Sequence, residues 1–333
     1  MAVTGTNQSP PALSATAHDG DDSLPVVLIH RFPTFTGSLF PSLPTHFRLL
    51  DLLTTDASNL QSATAILCVG PPPPVTPEFL DRFPSLKIVV CSSVGVDHVD
   101  LPECRRRGIV VTNAGSAFAE DVADYAVALL IDVLRRVSAA DRYVRAGSWP
   151  VKGDYPLGSK VSGKRVGILG LGRIGSAIAT RLAAFGCQIR YSSRKEKPSL
   201  PFAFYKTALD LAANSDVLIA CCALTDETFH VINGEVMTVL GKRGVIINVG
   251  RGSLVDEKEL VEFLLRGDLG GAGLDVFEDE PHVPKELFAL DNVVLSPHSA
   301  VVTPESIGTL QDVVIGNLKA FFAGQPLISP VID

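Results

Sequence analysis

Three side chains able to do acid–base and carboxylate chemistry follow one another in the last third of this chain, each just past an apolar run. Val245-Ile246-Ile247-Asn248-Val249-Gly250-Arg251-Gly252 leads into an arginine between glycines. Gly273-Leu274-Asp275-Val276-Phe277-Glu278-Asp279-Glu280-Pro281 ends in a cluster of acids, and Val293-Val294-Leu295-Ser296-Pro297-His298 ends in a histidine. Arg251 can clamp a carboxylate bidentately and polarise a neighbouring carbonyl. His298 can exchange a proton with a carbonyl or hydroxyl oxygen near neutral pH, and a nearby carboxylate would raise its pKa and fix its orientation. Each also has a plain structural reading: a surface ion pair for Arg251, one of several solvated acids for Glu280, a core imidazole for His298. Their order on successive strand ends is what joins them.

Upstream lies Gly170-Leu171-Gly172-Arg173-Ile174-Gly175, preceded by the apolar Val166-Gly167-Ile168-Leu169 and followed by a helical pattern with Ile178, Leu182 and Phe185 on one face. Between a strand and a helix this G-x-G-x-x-G spacing is a dinucleotide-binding loop. Gly170 permits the tight turn, Gly172 removes a side chain from the path of a pyrophosphate, and Gly175 lets helix and strand approach. Free backbone N–H groups and the helix dipole then hold the diphosphate. About 20 residues on, NAD enzymes place an acid against the adenosine ribose. Here that place reads Ser193-Arg194-Lys195. No carboxylate repels a 2′-phosphate there and hydroxyl and guanidinium donors can hold one, so NADP(H) is expected over NAD(H).

These residues need strands to carry them, and the pattern supplies two sets. Strands are expected at residues 26–30, 47–50, 65–69, 87–91 and 109–112, then at 165–169, 188–192, 217–221, 245–249, 273–276 and 293–296. Helices at 101–107, 176–185, 257–265 and 304–323 and one long helix over 119–146 intervene. Residues 71–74 (Pro-Pro-Pro-Pro) punctuate one crossing, and residues 326–331 read as an extended end. Alternation of this kind specifies parallel α/β architecture. The expected fold is two doubly wound parallel-sheet lobes: a Rossmann dinucleotide domain over 119–300, and a flavodoxin-like substrate domain over 24–118 completed by 301–333. Residues 1–23, small and polar, form a tail.

The 333 residues carry 29 Lys plus Arg against 36 Asp plus Glu, a net charge of −7. That balance offers nothing to nucleic acid or an anionic membrane surface, and no apolar run approaches the ~20 residues of a bilayer span. The N-terminal stretch lacks an apolar segment and any Arg or Lys, so the cytosol is expected. The six cysteines include no C-x-x-C pair and fall in or beside apolar strands; they read as reduced, buried thiols, with no metal site. His98, His230 (in a helix-like stretch) and His282 compete with His298, but none ends a strand of the second lobe. Trp149 either plugs a domain seam or reaches a neighbouring subunit.

Over nearly all the chain beyond the tail, the sequence resembles the D-isomer-specific 2-hydroxyacid dehydrogenase family. The resemblance is carried by Ser93-Val94-Gly95-Val96-Asp97-His98-Val99-Asp100-Leu101, the loop from Gly167 to Gly175, Asn248 to Gly252, Leu274 to Pro281 and Pro297-His298. More narrowly, Gly250-Arg251-Gly252, Asp275 through Pro284 and Ser193-Arg194-Lys195 look like plant NADPH-dependent glyoxylate/hydroxypyruvate reductases, to which plant hydroxyphenylpyruvate reductases are close. The resemblance implies that Arg251 holds a 2-oxo acid, that Glu280 orients His298 and raises its pKa, and that His298 protonates the carbonyl during hydride transfer. It implies that backbone N–H groups at Val94 and Gly95 bind the substrate carboxylate, as a glycine-containing turn can. Cofactor contacts carry over to Leu171, Gly172, Arg173, Ile174, Ser193, Arg194, Lys195, Val249 and Asp275, and a homodimer is implied. A bulky 2-oxo acid is the rival substrate, and a dinucleotide-sensing corepressor the rival class. Where many members have glycine two residues after the histidine, this chain has Ala300, whose methyl is expected to narrow the site.

Overall fold

The computed structural model describes residues 24–33, 40–55, 60–70 and 73–332. The N-terminal tail, Pro71 and Pro72 lie outside the described residues. The first sheet holds β1 (Val26–Arg31), β2 (Arg48–Asp51), β3 (Ala65–Val69), β4 (Ile88–Cys91) and β5 (Val110–Thr112), all parallel, in the order β2-β1-β3-β4-β5. This is the flavodoxin-like order. β3 and β4 are buried at every position, which is why they read as unbroken apolar runs rather than as alternation. Two short helices cross back over it. Thr76 caps α1 (Pro77–Asp81) at Phe79 N–H, and Asp100 caps α2 (Leu101–Arg106) at Glu103 N–H.

The long helix expected over 119–146 is two helices, α3 (Ala119–Arg135) and α4 (Val137–Arg145), followed by the short α5 (Trp149–Lys152). The break is at Arg136, which takes a left-handed conformation (φ 57°). An unbroken helix would send Ser138 N–H to the Leu134 carbonyl. That carbonyl instead accepts from Ser159 N–H at 2.7 Å, and Ser138 N–H turns to the Asp132 carboxylate at 2.8 Å. A contact 25 residues away thus cuts a helix that local propensity would continue. Trp149 is 65% exposed, so it plugs no seam within the chain.

The second sheet has seven parallel strands: β6 (Arg165–Leu169), β7 (Gln188–Ser192), β8 (Ala203–Phe204), β9 (Val217–Ala220), β10 (Val245–Asn248), β11 (Gly271–Leu274) and β12 (Val293–Leu295). Their order is β12-β11-β10-β9-β6-β7-β8, a Rossmann arrangement whose direction reverses between β6 and β9. Its helices are α6 (Arg173–Ala184), α7 (Ala208–Ala213), α8 (Gly234–Leu240) and α9 (Glu257–Arg266). β8 was not expected; two residues are too few to show a period. β11 begins and ends two residues earlier than its apolar pattern suggested. A Cβ on Gly273 would press on Ile247 of β10 and on Leu129 of α3, so the glycines here let α3 lie directly on the sheet.

After the second sheet, α10 (Pro304–Phe322) and the C-terminal segment return to the first. Pro330 bridges Thr112 antiparallel, Val331 N–H donates to the Val111 carbonyl at 2.8 Å, and Phe322 packs on Phe47 with ring centroids 6.0 Å apart. Asn317, fully buried on α10, anchors this return. Its amide donates to Val313 O and Ser329 Oγ, and its Oδ1 accepts from Ile328 and Ser329 N–H. Replacing it with alanine strands two backbone donors. Asn317→Ala should therefore lose about 2–4 kcal/mol in urea unfolding, and an unchanged midpoint would show that the segment is not anchored there.

Candidate active site

The residues singled out above gather at the carboxyl ends of the two sheets. At the reversal point of the second, Gly170 has φ +97°, a conformation that favours glycine, and a Cβ there would strike the Cys222 backbone. A Cβ on Gly175 would meet the Gly170 carbonyl, so this glycine sets how closely α6 approaches the turn. Gly172, which opens α6, has nothing within 4 Å of the place a Cβ would occupy. That open cradle at a helix N-terminus fits a dinucleotide diphosphate. Leu171 keeps its side chain in the core, Arg173 is exposed and Ile174 half-buried. Val249 is buried beside them.

Past β7, the Ser193 hydroxyl donates to the Lys195 carbonyl at 2.6 Å, and Arg194 and Lys195 project into solvent. One cation escaped the sequence reading. Lys197 donates its Nζ to the Leu171 carbonyl on the glycine loop itself, and its N–H to Tyr191 Oη at 2.8 Å. Its only sequence signal was membership of a basic turn.

His298 follows β12 in a left-handed conformation (φ 51°), a strain of about 1–3 kcal/mol for a non-glycine residue. A buried carboxylate holds it there. Asp275, 1% exposed at the end of β11, accepts from Ser296 Oγ (2.7 Å), Ser299 N–H (2.8 Å) and Ala300 N–H (3.0 Å). The Asp275 carbonyl accepts from His298 N–H at 2.8 Å. Both carboxylate oxygens therefore face protein donors; a cofactor contact expected of Asp275 has its own organising role beside it. The same hydrogen bonds turn Ala300 inward. Its methyl is buried in the core at 3% exposure.

Glu280 meets His298 across this loop, with Oε2 2.8 Å from Nδ1. The pair is about a third exposed. Burial pushes the Glu280 carboxyl up, but the His298 hydrogen bond and charge, the Phe277 N–H and the Arg251 charge outweigh it and leave the group below its ordinary 4.5. With Nδ1 engaged, Nε2 is the nitrogen left for a substrate oxygen.

Arg251 is placed by Asn248, buried at the end of β10, whose Oδ1 accepts from Gly250 N–H (3.1 Å) and whose Nδ2 donates to the Arg251 carbonyl (2.8 Å). Its guanidinium reaches the other lobe. Nε donates to Asp97 at 3.1 and 3.3 Å, and a Cβ on Gly95 would collide with the guanidinium. Thus Arg251 and the Val94–Gly95 turn, 156 residues apart at Gly95, are in contact. That turn is braced by Asn113 Nδ2 donating to Val94 O (2.9 Å) and by Ser93 Oγ donating to Gly95 O (2.6 Å). Asp97 and Asn113 were not foreseen as site residues. The Asp97 pair is over a quarter exposed on both sides, so it is worth only about 0–1 kcal/mol, weak enough for a substrate carboxylate to compete.

The competing histidines have other occupations. His230 lies in a turn, not a helix, between Asp256 (3.3 Å) and Glu278 (2.7 Å); His282 is exposed beside Asp279. His98 is buried at Nε2 and lies against Cys68 and Cys91.

Known proteins are similar to this chain over most of its length. Residues 127–300 match the family described as D-isomer specific 2-hydroxyacid dehydrogenase, NAD binding domain. The chain is 58% identical over 315 residues to the glyoxylate/hydroxypyruvate reductase HPR3 of Arabidopsis thaliana, covering 92% of this chain and 97% of that one. It is 52% identical over 255 residues to the hydroxyphenylpyruvate reductase of Plectranthus scutellarioides, covering 77% and 81%. Among solved structures it is similar to the NADPH-dependent glyoxylate/hydroxypyruvate reductase of Sinorhizobium meliloti in complex with NADP and malonate. The TM-score is 0.86 at 39% identity, over 93% of this chain and 97% of that one.

The depressed Glu280 carboxyl carries a pH signature. A group whose folded pKa is lowered contributes stability that is fully present above its unfolded value and is lost as pH falls through the folded one. Wild type should therefore exceed Glu280→Gln in stability at pH 7, with the gap closing below about pH 4 in urea melts at stepped pH. A gap that persists into acid would mean the glutamate acts by packing alone.

Proposed function

The chain belongs to the D-isomer specific 2-hydroxyacid dehydrogenase family, and we propose that it reduces small 2-oxo acids with NADPH, glyoxylate to glycolate and hydroxypyruvate to D-glycerate. The observation that carries this reading is the Glu280–His298 pair at 2.8 Å, held at a strand end of the dinucleotide sheet with Nε2 free to act. When bound, the dinucleotide supplies the hydride that reduces the carbonyl carbon. His298 delivers the proton to the carbonyl oxygen as charge develops there, and Glu280 stabilises the imidazolium that is the acid. Arg251 pairs with the 2-oxo acid and polarises its carbonyl, while the Val94 and Gly95 N–H groups hold the carboxylate. Closing Arg251 onto that turn orients the two reactants and excludes water.

In this reading residues 24–118 with 301–333 form the substrate lobe and 119–300 the dinucleotide lobe. Ser193, Arg194 and Lys195 bind the 2′-phosphate, with Lys197 behind them. The protein works as a cytosolic homodimer; Trp149, Val151 and Leu157, at 65, 83 and 96% exposure, are apolar area that a second copy would cover. No described helix is long and apolar enough to cross a membrane. A second substrate reading has specific support: the relative from Plectranthus is a hydroxyphenylpyruvate reductase.

Consumption of NADPH and NADH by the purified protein against glyoxylate, hydroxypyruvate, pyruvate and 4-hydroxyphenylpyruvate tests the proposal directly. Glyoxylate and hydroxypyruvate with NADPH should give the highest kcat/KM; inactivity with all four sinks it. His298→Ala should lower kcat about 10²-fold or more with NADPH affinity intact, whereas weakened NADPH binding would make the histidine structural. Arg194→Ala should raise the NADPH Kd about tenfold and leave NADH unaffected, since it removes one charge-assisted contact of about 1.5 kcal/mol or more. Equal losses for both cofactors would remove the 2′-phosphate role.

A further inference from the structure

The carboxyl ends of β1, β3 and β4 carry a row of side chains that the reductase reading does not use. His30 is the register partner of Cys68, and Cys68 of Cys91, so the three side chains leave the sheet on one face. All three are buried, at 7, 0 and 1% exposure. His98 closes over them from the loop after β4. Its carbonyl accepts from Val75 N–H at 2.7 Å and the next residue, Val99, bridges Val75, which fixes where the ring can lie.

Two adjacent thiols in a core are ordinarily small hydrophobes. The third group breaks that reading. One ligand atom each from Cys68, Cys91 and His98 lies within 4.8 Å of the others, and His98 Nε2 is buried without a hydrogen-bond partner. The imidazole also hydrogen-bonds the Cys91 side chain, so ring and sulfurs form one contact group, and its buried Nε2 has no partner among the described residues. His30 is not part of the set, because its Nε2 is engaged with the Pro73 carbonyl at 2.8 Å.

We propose that Cys68, Cys91 and His98 form a binding site for one thiophilic divalent cation of the zinc type. Two thiolates and an imidazole are three of the four ligands such an ion takes, and softer donors select it over magnesium or calcium. On binding, two S–H bonds break and two protons pass to solvent, two S–metal bonds form, and one imidazole nitrogen donates its lone pair; no electrons change hands and water supplies the fourth ligand. The thiols are already unequal. The Cys68 hydrogen bond and the neighbouring His98 hold the Cys91 thiol below its ordinary value against burial, while the Cys91 contact and burial push Cys68 up. The absence of C-x-x-C spacing concealed the site, since its ligands come from two strands and a loop.

Its position gives it a consequence. Cys91 immediately precedes residues 92–97 and His98 immediately follows them, so an ion would tie together both ends of the turn that carries Val94 and Gly95. Asp97, next to His98, is the partner of Arg251. Occupancy should therefore change the KM for the 2-oxo acid and leave NADPH binding, which lies on the other sheet, unaltered. The cation site stands on its own geometry; only its effect on KM rests on the reductase reading.

The experiment titrates the reduced full-length protein with Zn²⁺ alone and, separately, with Co²⁺ alone. One equivalent should bind, with thiolate-to-cobalt charge transfer in the near-ultraviolet and the intense visible bands of a four-coordinate ion. Cys68→Ala should weaken Zn²⁺ about 10²-fold or more, since even lost outer partners of a ligand cost 10–100-fold. Cys187→Ala, in the other lobe, should not. Should Cys68→Ala fail to fold, His98→Gln decides: with both thiols kept, it should still weaken Zn²⁺ about tenfold or more. No stoichiometric binding, charge transfer that survives Cys68→Ala, or a Cys68–Cys91 disulfide formed in place of metal uptake would overturn the site. Zn²⁺ bound with an unchanged KM would overturn the coupling to the turn.

Discussion

A single buried carboxylate determines how the catalytic end of this protein is organised. Asp275 sits where β11 leaves the sheet, and its two oxygens take three donors from residues 296–300. A carboxyl group in a site 1% exposed is tolerable only when so satisfied. The loop pays by placing His298 in a left-handed conformation, and that conformation aims the imidazole at Glu280. Strain of about 1–3 kcal/mol is matched by charge-assisted hydrogen bonds of about 1.5–3 kcal/mol each, so the geometry is over-determined. The histidine is thus positioned from behind, by a residue in a different strand.

A second constraint joins the two sheets. Arg251 leaves β10 on a turn shaped by Asn248 and lies against Gly95 and Asp97 of the first lobe. Gly252 packs its backbone on that of Phe277 and Glu278, where a Cβ could not fit, so the arginine turn lies directly against the acid loop. Substrate held between Arg251 and the Val94–Gly95 turn would be held by both lobes at once. The Asp97 pair that now joins them is exposed and weak, which suits a contact that must yield to a substrate carboxylate.

Much of the fold could be read in the sequence because parallel strands buried on both faces leave continuous apolar runs; residues 65–69 and 165–169 coincide with β3 and β6, while 188–192 coincides with β7 through alternating burial. Where reading and structure differ, a distant contact prevailed over a local preference. Ser159 took the carbonyl that would have continued α3 past Arg136, and the requirement for glycine under α3 moved β11 two residues toward the N-terminus.

Residue type and order alone determined the chemistry available: a glycine loop for a diphosphate, a guanidinium, a carboxylate and an imidazole at successive strand ends. Chemical type is local, and strand order follows from a small set of topological rules. The tertiary structure alone decided who supports whom. Asp275 under His298, Asp97 against the Arg251 guanidinium, Lys197 on the glycine loop, and the Cys68, Cys91 and His98 cluster are all pairings between separate segments. Such pairings depend on sheet register and loop closure, and no spacing along the chain encodes either. The sequence therefore names the reacting groups, and packing supplies their geometry.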